Sequence, residues 1–492
     1  MERLISAFGL LAMIGIAWLM SSNHKKFPLR VVVGGLALQL IFALLILQTG
    51  PGKATFGVIG DIFTNMISHV DAGSRFMFGM DRELEVPVKV SGEPHQTHFR
   101  VWETPKQDIQ DLVESIRGKK GVVTITVGQT AQDFDLSADD WEQQLREWFH
   151  VAIGSFRDGQ FPRTKQLLSS FAFGVLPTII FFSSLMSMLY YLGIMQKVVA
   201  FFAWIMRSTL GTSGAETLSA AANVFVGQTE APLVIRPYVS KMTQSELMAV
   251  MVGGFATIAG GVLAAYVSFG IDAGHLVTAS VISAPAALLI AKVMQPETEH
   301  SLTMGEVELH VEEKESNLIG AAASGATAGM KLAINVAAML IAFLAIIAMF
   351  NAIIGWTGEW FGYVATADRW TLEKGLSYCF WPLAWLMGIP AVDCGKAGEL
   401  LGTKMVANEF VAYLQLGEMI GTGKETLSPR TVTILTYALC GFANFGSIGI
   451  QLGGIGGVAP SRRGDLAKLG LRAMFGGTLA AFMTACIAGI LI

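Results

Sequence analysis

Apolar runs long enough to cross a lipid bilayer constrain this chain more than any other feature. A spanning helix needs roughly 20 such residues in succession. Leu4–Met20, Val31–Leu47, Phe171–Leu192, Leu332–Ile354 and Met474–Ile492 reach or approach that length. Charged residues make up only 15% of the chain, against about a quarter in a soluble protein. These features exclude a large soluble enzyme and indicate a polytopic membrane protein. The first run lacks a strongly basic start and a small-x-small cleavage site, and a second follows at once, so it reads as a retained span. No basic stretch resembles a nucleic-acid surface. Cys379, Cys394, Cys440 and Cys486 lie in apolar or hairpin-like segments, which argues for packing rather than disulfides or a metal site.

Loop charge sets the expected orientation. The Ser22–Arg30 loop carries Lys25, Lys26 and Arg30, and the last interspan loop carries Arg462, Arg463, Lys468 and Arg472. Both are expected on the cytoplasmic side, with the two termini outside. Lys197, Arg207, Arg236 and Lys241 fall on the inner side, and Gly270–His275 contains no Lys or Arg.

Three domains are expected: 1–80, with two spans and an interfacial amphipathic segment at Ile59–Met80; 81–165, a small inserted α+β domain on the outer side; and 166–492, the transport core. The insert is dense in polar residues. It reads as strand Phe99–Glu103, helix Lys106–Gly118, strand Val122–Val127 and helix Ala138–Ser155. Ile109, Leu112, Val113 and Ile116 share one face of the first helix. A Glu-rich stretch, Gln295–Ser316, reads as a solvated cytoplasmic linker without chemistry. Asn317–Lys331 reads as another interfacial helix.

Two places break the apolar pattern. At Ser213–Ser240, two arms too short to span flank Gly227-Gln228-Thr229-Glu230, followed by Pro232. At Val392–Met419, arms flank Asn408-Glu409-Phe410. Each is followed by a glycine-interrupted span, Phe255–Gly270 or Gly441–Gly457. Hairpin plus broken helix, twice, entering from opposite sides, is the pattern of an inverted-repeat secondary transporter. Non-helical backbone at membrane depth is tolerated where it meets protein or lines a cavity. A carboxylate there costs at least about 2.5–3.5 kcal/mol on insertion scales, so Glu230 and Glu409 require partners. Capping of a hairpin is the bland alternative. Asn444 and Ser447 are spaced for one helical face, although either alone suits helix packing, and Phe442 alone suits a core. The Gly453–Gly457 run follows no strand, which rejects a nucleotide loop.

These residues carry a resemblance. Phe171–Leu192 (FAFGVLPTIIFFSSLMSMLYYL), Asn223–Tyr238 (NVFVGQTEAPLVIRPY), Phe255–Ala264 (FATIAGGVLA), Asn408–Tyr413 (NEFVAY), Tyr437–Gly449 (YALCGFANFGSIG) and Ala459–Arg463 (APSRR) resemble the concentrative nucleoside transporters from about residue 169 to the C-terminus. The inserted domain lies outside that resemblance. The resemblance implies an all-α fold of about eight transmembrane helices with two re-entrant hairpins and inverted-repeat broken helices, in a homotrimer that imports nucleosides by an elevator-like motion. By motif, it implies that Gln228, Thr229 and Glu230 contact the nucleobase. Glu409, Asn444 and Ser447 hold the ribose hydroxyls, and Phe442 and Val262 line the pocket. It also implies a sodium site from the Asn223 and Thr257 side chains and the Val226 and Ile258 carbonyls. A hard cation prefers such oxygen ligands. A carboxylate accepts hydrogen bonds while an Asn amide both donates and accepts, which suits vicinal hydroxyls.

Proton coupling through Glu230 or Glu409 is the alternative within transport. An intramembrane hydrolase could use two carboxylates as acid and base, but the chain shows no metal-ligand cluster and no Ser-His pair. A receptor sensing a ligand through the insert is the remaining reading. The expected location is the bacterial inner membrane, with the termini and insert in the periplasm.

Overall fold

A computed structural model describes residues 1–77, 83–100, 106–117, 119, 121–127, 129–138, 140–160, 176–304, 315–360, 370–422 and 427–492. The chain forms two compact units, Met1–Ile67 with Thr178–Ile492, and Ser68–Pro177.

The larger unit is helical. It opens with α1 (Glu2–Leu19) and α2 (Leu29–Leu47), close to the expected spans. Helix α3 (Gly50–Met77) is one continuous helix of 28 residues that straddles the boundary at Ile67. It replaces the shorter amphipathic segment expected from Ile59; residues 78–80 of that expectation lie outside the described residues. The second unit contains β1 (Glu83–Val90), β2 (Glu93–Arg100), α4 (Lys106–Ile116), β3 (Val122–Val127), β4 (Thr130–Asp135) and α5 (Trp141–Gln160).

The strands form an antiparallel sheet of order β2-β1-β3-β4. Ile109, Leu112, Val113 and Ile116 form the buried face of α4, in one core with Val123, Ile125, Val127, Phe134, Leu145 and Phe149. Sequence reading missed the β1–β2 hairpin and β4. Ser91 and Gly92 take φ of 51° and 92°, the double positive φ of a two-residue hairpin turn. Pro87 makes β1 look broken. It lies just beyond the Val88–Val90 segment that pairs with β3, where β1 has one neighbour and a missing N–H is tolerated. In β4 only Phe134 is buried, so the alternating signal is almost absent. The expected strand Phe99–Glu103 is the end of β2, with 101–103 outside the described residues. The helix expected at Ala138–Ser155 is α5, which starts at Trp141 and runs to Gln160.

The larger unit continues with α6 (Leu176–Tyr191) and α7 (Ile194–Leu210), bent by 79°. Residues 171–175 of the third expected span lie outside the described residues. Helix α8 (Gly214–Ala222) starts with a capping box, Ser213 with Glu216. Then come a 3-10 turn (Ala231–Ile235), α9 (Arg236–Val239), α10 (Gln244–Ala256), α11 (Gly260–Ser268) and α12 (Ala273–Met294). Nearly every residue of helix α12 is buried and the helix packs against α2 and α10, as expected of a helix apolar all round.

Helix α13 (Leu318–Trp360) has 43 residues, a length of about 65 Å. No break separates the interfacial helix expected at Asn317–Lys331 from the span after it. The chain ends with α14 (Leu372–Leu386), α15 (Cys394–Val406), α16 (Glu409–Thr422), α17 (Pro429–Leu439), α18 (Phe445–Val458) and α19 (Arg463–Leu491). Among the described residues five helices are long and apolar enough to cross a membrane, or six if the α6–α7 pair counts as one.

The stretch expected to be a solvated linker is anchored where it is described. Ser301 and Thr303 are buried, and both hydroxyls donate to the Glu246 carboxylate. The Gly214 N–H donates to the Thr303 carbonyl at 2.9 Å. Lys292, buried in α12, pairs with Glu216 at 2.7 Å. Glu216 and Glu246 each also close a capping box, so this strap ties together the first turns of α8 and α10. Its continuation, 305–314, lies outside the described residues.

Candidate functional site

Two pairs of helices are broken, and the breaks meet; the second break lies at the start of the Gly441–Gly457 stretch, whose later glycines sit inside one helix. In the first, α10 ends at Ala256 and α11 starts at Gly260. Thr257 (φ −123°, ψ 168°) and Ala259 (φ −76°, ψ 141°) between them are extended. In the second, Cys440–Asn444 separates α17 from α18. Gly441 there has φ +140°, and a Cβ on it would lie 2.7 Å from the Phe255 carbonyl oxygen. Glycine is the residue that permits both the conformation and the close approach. The Phe442 N–H then donates to the Thr257 carbonyl at 3.3 Å, joining the two breaks.

Each break faces a short turn. After α8 the chain turns through Asn223–Glu230. Pro232 and Pro237 lack N–H donors, and the return arm is a 3-10 turn and α9 instead of a full helix. The Gly260 N–H donates to the Phe225 carbonyl at 3.1 Å, tying this turn to the first break. Between α15 and α16 the interruption is Ala407–Asn408. Ala407 leaves the helical region (φ −87°, ψ −89°), and Asn408 Oδ1 accepts from the Val411 N–H at 2.9 Å. Glu409 is therefore the first residue of α16, where a helix start favours an acid.

The structure brings Glu409, Asn444, Ser447 and Gln228 into one buried network. Tyr266 donates to Glu409 Oε1 at 3.2 Å, and Asn444 Nδ2 donates to Oε2 at 3.1 Å. Asn444 Oδ1 accepts from the Ser447 N–H at 2.9 Å, which caps α18. Gln228 Nε2 donates to Ser447 Oγ at 3.2 Å. Val262 is buried in α11 and Phe442 is half-buried. Thr229 packs on α18: a Cβ on Gly454 would lie 3.0 Å from its Cγ2.

Glu230 differs from Glu409 in setting. It is exposed and lines a cavity of about 460 Å³ together with Ser183, Tyr190, Val226 and Gly325. A Cβ on Gly227 would fall on its carboxylate. The two acids thus occupy similar turns but face different surroundings.

Asn223 is fully buried, and neither of its amide atoms has a hydrogen-bond partner. A Cβ on Gly253 would lie 3.2 Å from Asn223 Nδ2, and Thr257 Oγ1 donates to the Gly253 carbonyl at 2.9 Å. Asn223 and Thr257 therefore converge over Gly253. Val226 lies in the adjoining turn and Ile258 in the adjoining break. An orphaned buried amide converging with a hydroxyl, next to the non-helical backbone at Val226 and Ile258, is an oxygen-rich set that suits a hard cation.

Sequence reading missed Tyr266 and Gln451. Gln451 Nε2 donates to Gln228 Oε1 and to the Met251 carbonyl, each at 3.1 Å. A signal was available: Asn444, Ser447 and Gln451 follow one another at helical spacing in an otherwise apolar, glycine-rich segment. Tyr266, the one hydroxyl-bearing side chain in α11 before its last residue, sits one turn after Val262.

Comparison with known proteins points the same way. Residues 8–81 fit the family description "Na+ dependent nucleoside transporter N-terminus". Residues 172–273 fit "Nucleoside recognition", and 275–489 fit "Na+ dependent nucleoside transporter C-terminus". An uncharacterized transporter of Haemophilus influenzae is 41% identical, with 100% of this chain and 98% of that protein covered. Sodium/nucleoside cotransporter 1 of Mus musculus is 37% identical over 100% of this chain, which spans 64% of that longer protein. A solved structure of CNTnw in an inward-facing substrate-bound state is 37% identical, with 100% and 98% of the two chains covered and a TM-score of 0.78. A doubly substituted CNTnw has also been solved in an outward-facing state, again at a TM-score of 0.78. With its broken helices, its polar network and these relatives, the chain belongs to the Na+ dependent nucleoside transporter family.

Proposed function

We propose that this protein is a sodium-coupled importer of nucleosides that works by elevator-type alternating access. The observation that carries the reading is the buried network at the crossed breaks. There Glu409, held by Tyr266 and Asn444, adjoins Ser447 and Gln228. In this reading Glu409, Asn444 and Ser447 bind the ribose hydroxyls. Gln228, Thr229 and Glu230 meet the base, and Val262 and Phe442 line the pocket. The family membership and the likeness to CNTnw in inward- and outward-facing states support alternating access.

Sodium binds between the first turn and the first break, with Asn223, Thr257, Val226 and Ile258 as ligands. The orphaned Asn223 amide supports this. Proton coupling is the second reading. It is favoured by one observation, the burial of Glu409, whose two hydrogen-bond donors Tyr266 and Asn444 are neutral; the buried Lys404 lies within electrostatic range of the same carboxylate. The protein is an integral membrane homotrimer in lipid, in the bacterial inner membrane, with termini and the 81–165 insert in the periplasm. Its domains are 1–80, 81–165 and 166–492, with re-entrant hairpins near 213–240 and 392–419.

The test is uptake of radiolabelled nucleosides into proteoliposomes at fixed pH, with sodium or choline outside. Sodium coupling predicts accumulation that disappears in choline. Accumulation that persists in choline and collapses with a protonophore would establish the proton reading instead. No uptake of any nucleoside under either gradient would overturn both.

A further inference from the structure

The Gln228 side chain has a fixed hydrogen-bonding sense, and the cause lies two hydrogen bonds away. A backbone carbonyl only accepts hydrogen bonds. The Gln451 amide that faces the Met251 carbonyl at 3.1 Å must therefore present its NH₂ end. Its other N–H points at Gln228, at 3.1 Å, and so requires the Gln228 oxygen there. Gln228 Nε2 is then turned to Ser447 Oγ, at 3.2 Å. A flipped Gln228 would set NH₂ against NH₂.

Gln451 has no exposed surface, and its own Oε1 is buried without a partner. The arrangement satisfies Gln228 better than it satisfies Gln451. Gly254 makes room for the pair, since a Cβ there would lie 2.8 Å from Gln451 Nε2 and 3.0 Å from Gln228 Cβ.

We infer that Gln451 is a positioning residue for substrate selection: it transmits the polarity of the Met251 carbonyl to Gln228 and so decides which hydrogen-bonding edge of a base the site accepts. The inference rests on the proposed reading that Gln228 meets the base. With Oε1 held by Gln451 and one N–H given to Ser447, Gln228 keeps its second N–H to donate. It therefore favours a base that presents an acceptor to it. Uridine and cytidine carry opposite donor and acceptor patterns on that edge, as do inosine and adenosine. A Gln228 free to rotate offers either end of its amide and loses the distinction.

The experiment measures proteoliposome uptake of these four nucleosides by the full-length protein. The readout is the ratio of kcat/KM within each pair, which a general loss of active protein does not alter. The wild-type chain is expected to discriminate within at least one pair. Gln451→Met, which keeps the bulk and removes both donors, is expected to shrink that ratio by about tenfold, the scale of one hydrogen bond's net contribution. Gln228→Ala should shrink it similarly, and the double variant no further than Gln228→Ala alone. Gly254→Ala, which crowds the pair without removing it, should move the ratio in the same direction. It serves as the second variant if Gln451→Met yields no folded protein.

An unchanged ratio in the Gln451 or Gly254 variant, with nucleoside uptake intact, overturns the inference. So does additivity in the double variant, or a wild-type chain that transports all four without preference. Failure of the wild-type chain to move any nucleoside overturns the functional reading beneath it.

Discussion

Glu409 is the residue whose setting says most about its work. It is 4% exposed, yet both carboxylate oxygens receive a donor. A buried charge is tolerated when its hydrogen bonds are made. Glu409→Gln keeps the shape but removes the charge and replaces one accepting oxygen with an NH₂ group. Hydrogen bonds to a charged group contribute about 1.5–3 kcal/mol. Ribonucleoside kcat/KM should therefore fall by roughly tenfold or more, with less effect on 2′-deoxynucleosides; equal kinetics for wild type and variant would refute the ribose assignment. Asn223→Ala removes the orphaned amide beside Thr257. It should raise the sodium concentration needed for half-maximal uptake while leaving the base preference unchanged, which a sodium titration for two nucleosides would check. Glu409 is legible as an acid in an apolar segment, whereas Asn223 is singled out only through the family resemblance. Tyr266 is not legible, because a lone Tyr near a helix break reads as ordinary packing until its partner is known; Gln451 shows only through its spacing from Asn444 and Ser447.

At the level of elements, the breaks in α10–α11 and α17–α18 follow from sequence, but their meeting does not. Gly441 at φ +140° presses on the Phe255 carbonyl, a contact between residues far apart in the chain. Gly441→Ala is strained in conformation and in space, and should destabilise by at least about 1 kcal/mol. Lower thermal stability in detergent and lost uptake are expected; full uptake would show that the breaks tolerate separation. The anchoring of the strap after α12 is not legible, because Glu-rich, apparently linker-like sequence gives no sign that Ser301 and Thr303 are buried on helix caps. Lys292→Met would leave Glu216 buried and unpaired, a loss of about 3–5 kcal/mol for a buried ion pair. Thermal unfolding should move to clearly lower temperature, and Lys292→Met with Glu216→Leu should recover much of the loss. No recovery in the double variant would assign the effect to packing of the lysine stem.

For the whole molecule, the proposed topology rests on basic loops. Lys25 and Lys468 are exposed. After replacement of the exposed Cys379, Lys25→Cys and Lys468→Cys should both react with an impermeant thiol reagent from the cytoplasmic face. Labelling of the two from opposite faces would break the topology. Membrane character, the approximate α1, α2 and α19 spans, the two turns and the acids in them were all readable from composition and spacing, because the energetics of crossing a bilayer act on each segment alone. The same local logic found the apolar face of α4 in the second unit. It missed β1, where Pro87 masks a strand, and β4, where a single buried side chain leaves no pattern. Folding decided which polar groups join: Glu409 enters the network with Asn444, Ser447 and Gln228, while Glu230 lines a cavity with Ser183 and Tyr190. Segment chemistry is local and additive along the chain, whereas hydrogen-bond partnership depends on contacts between residues about 220 positions apart.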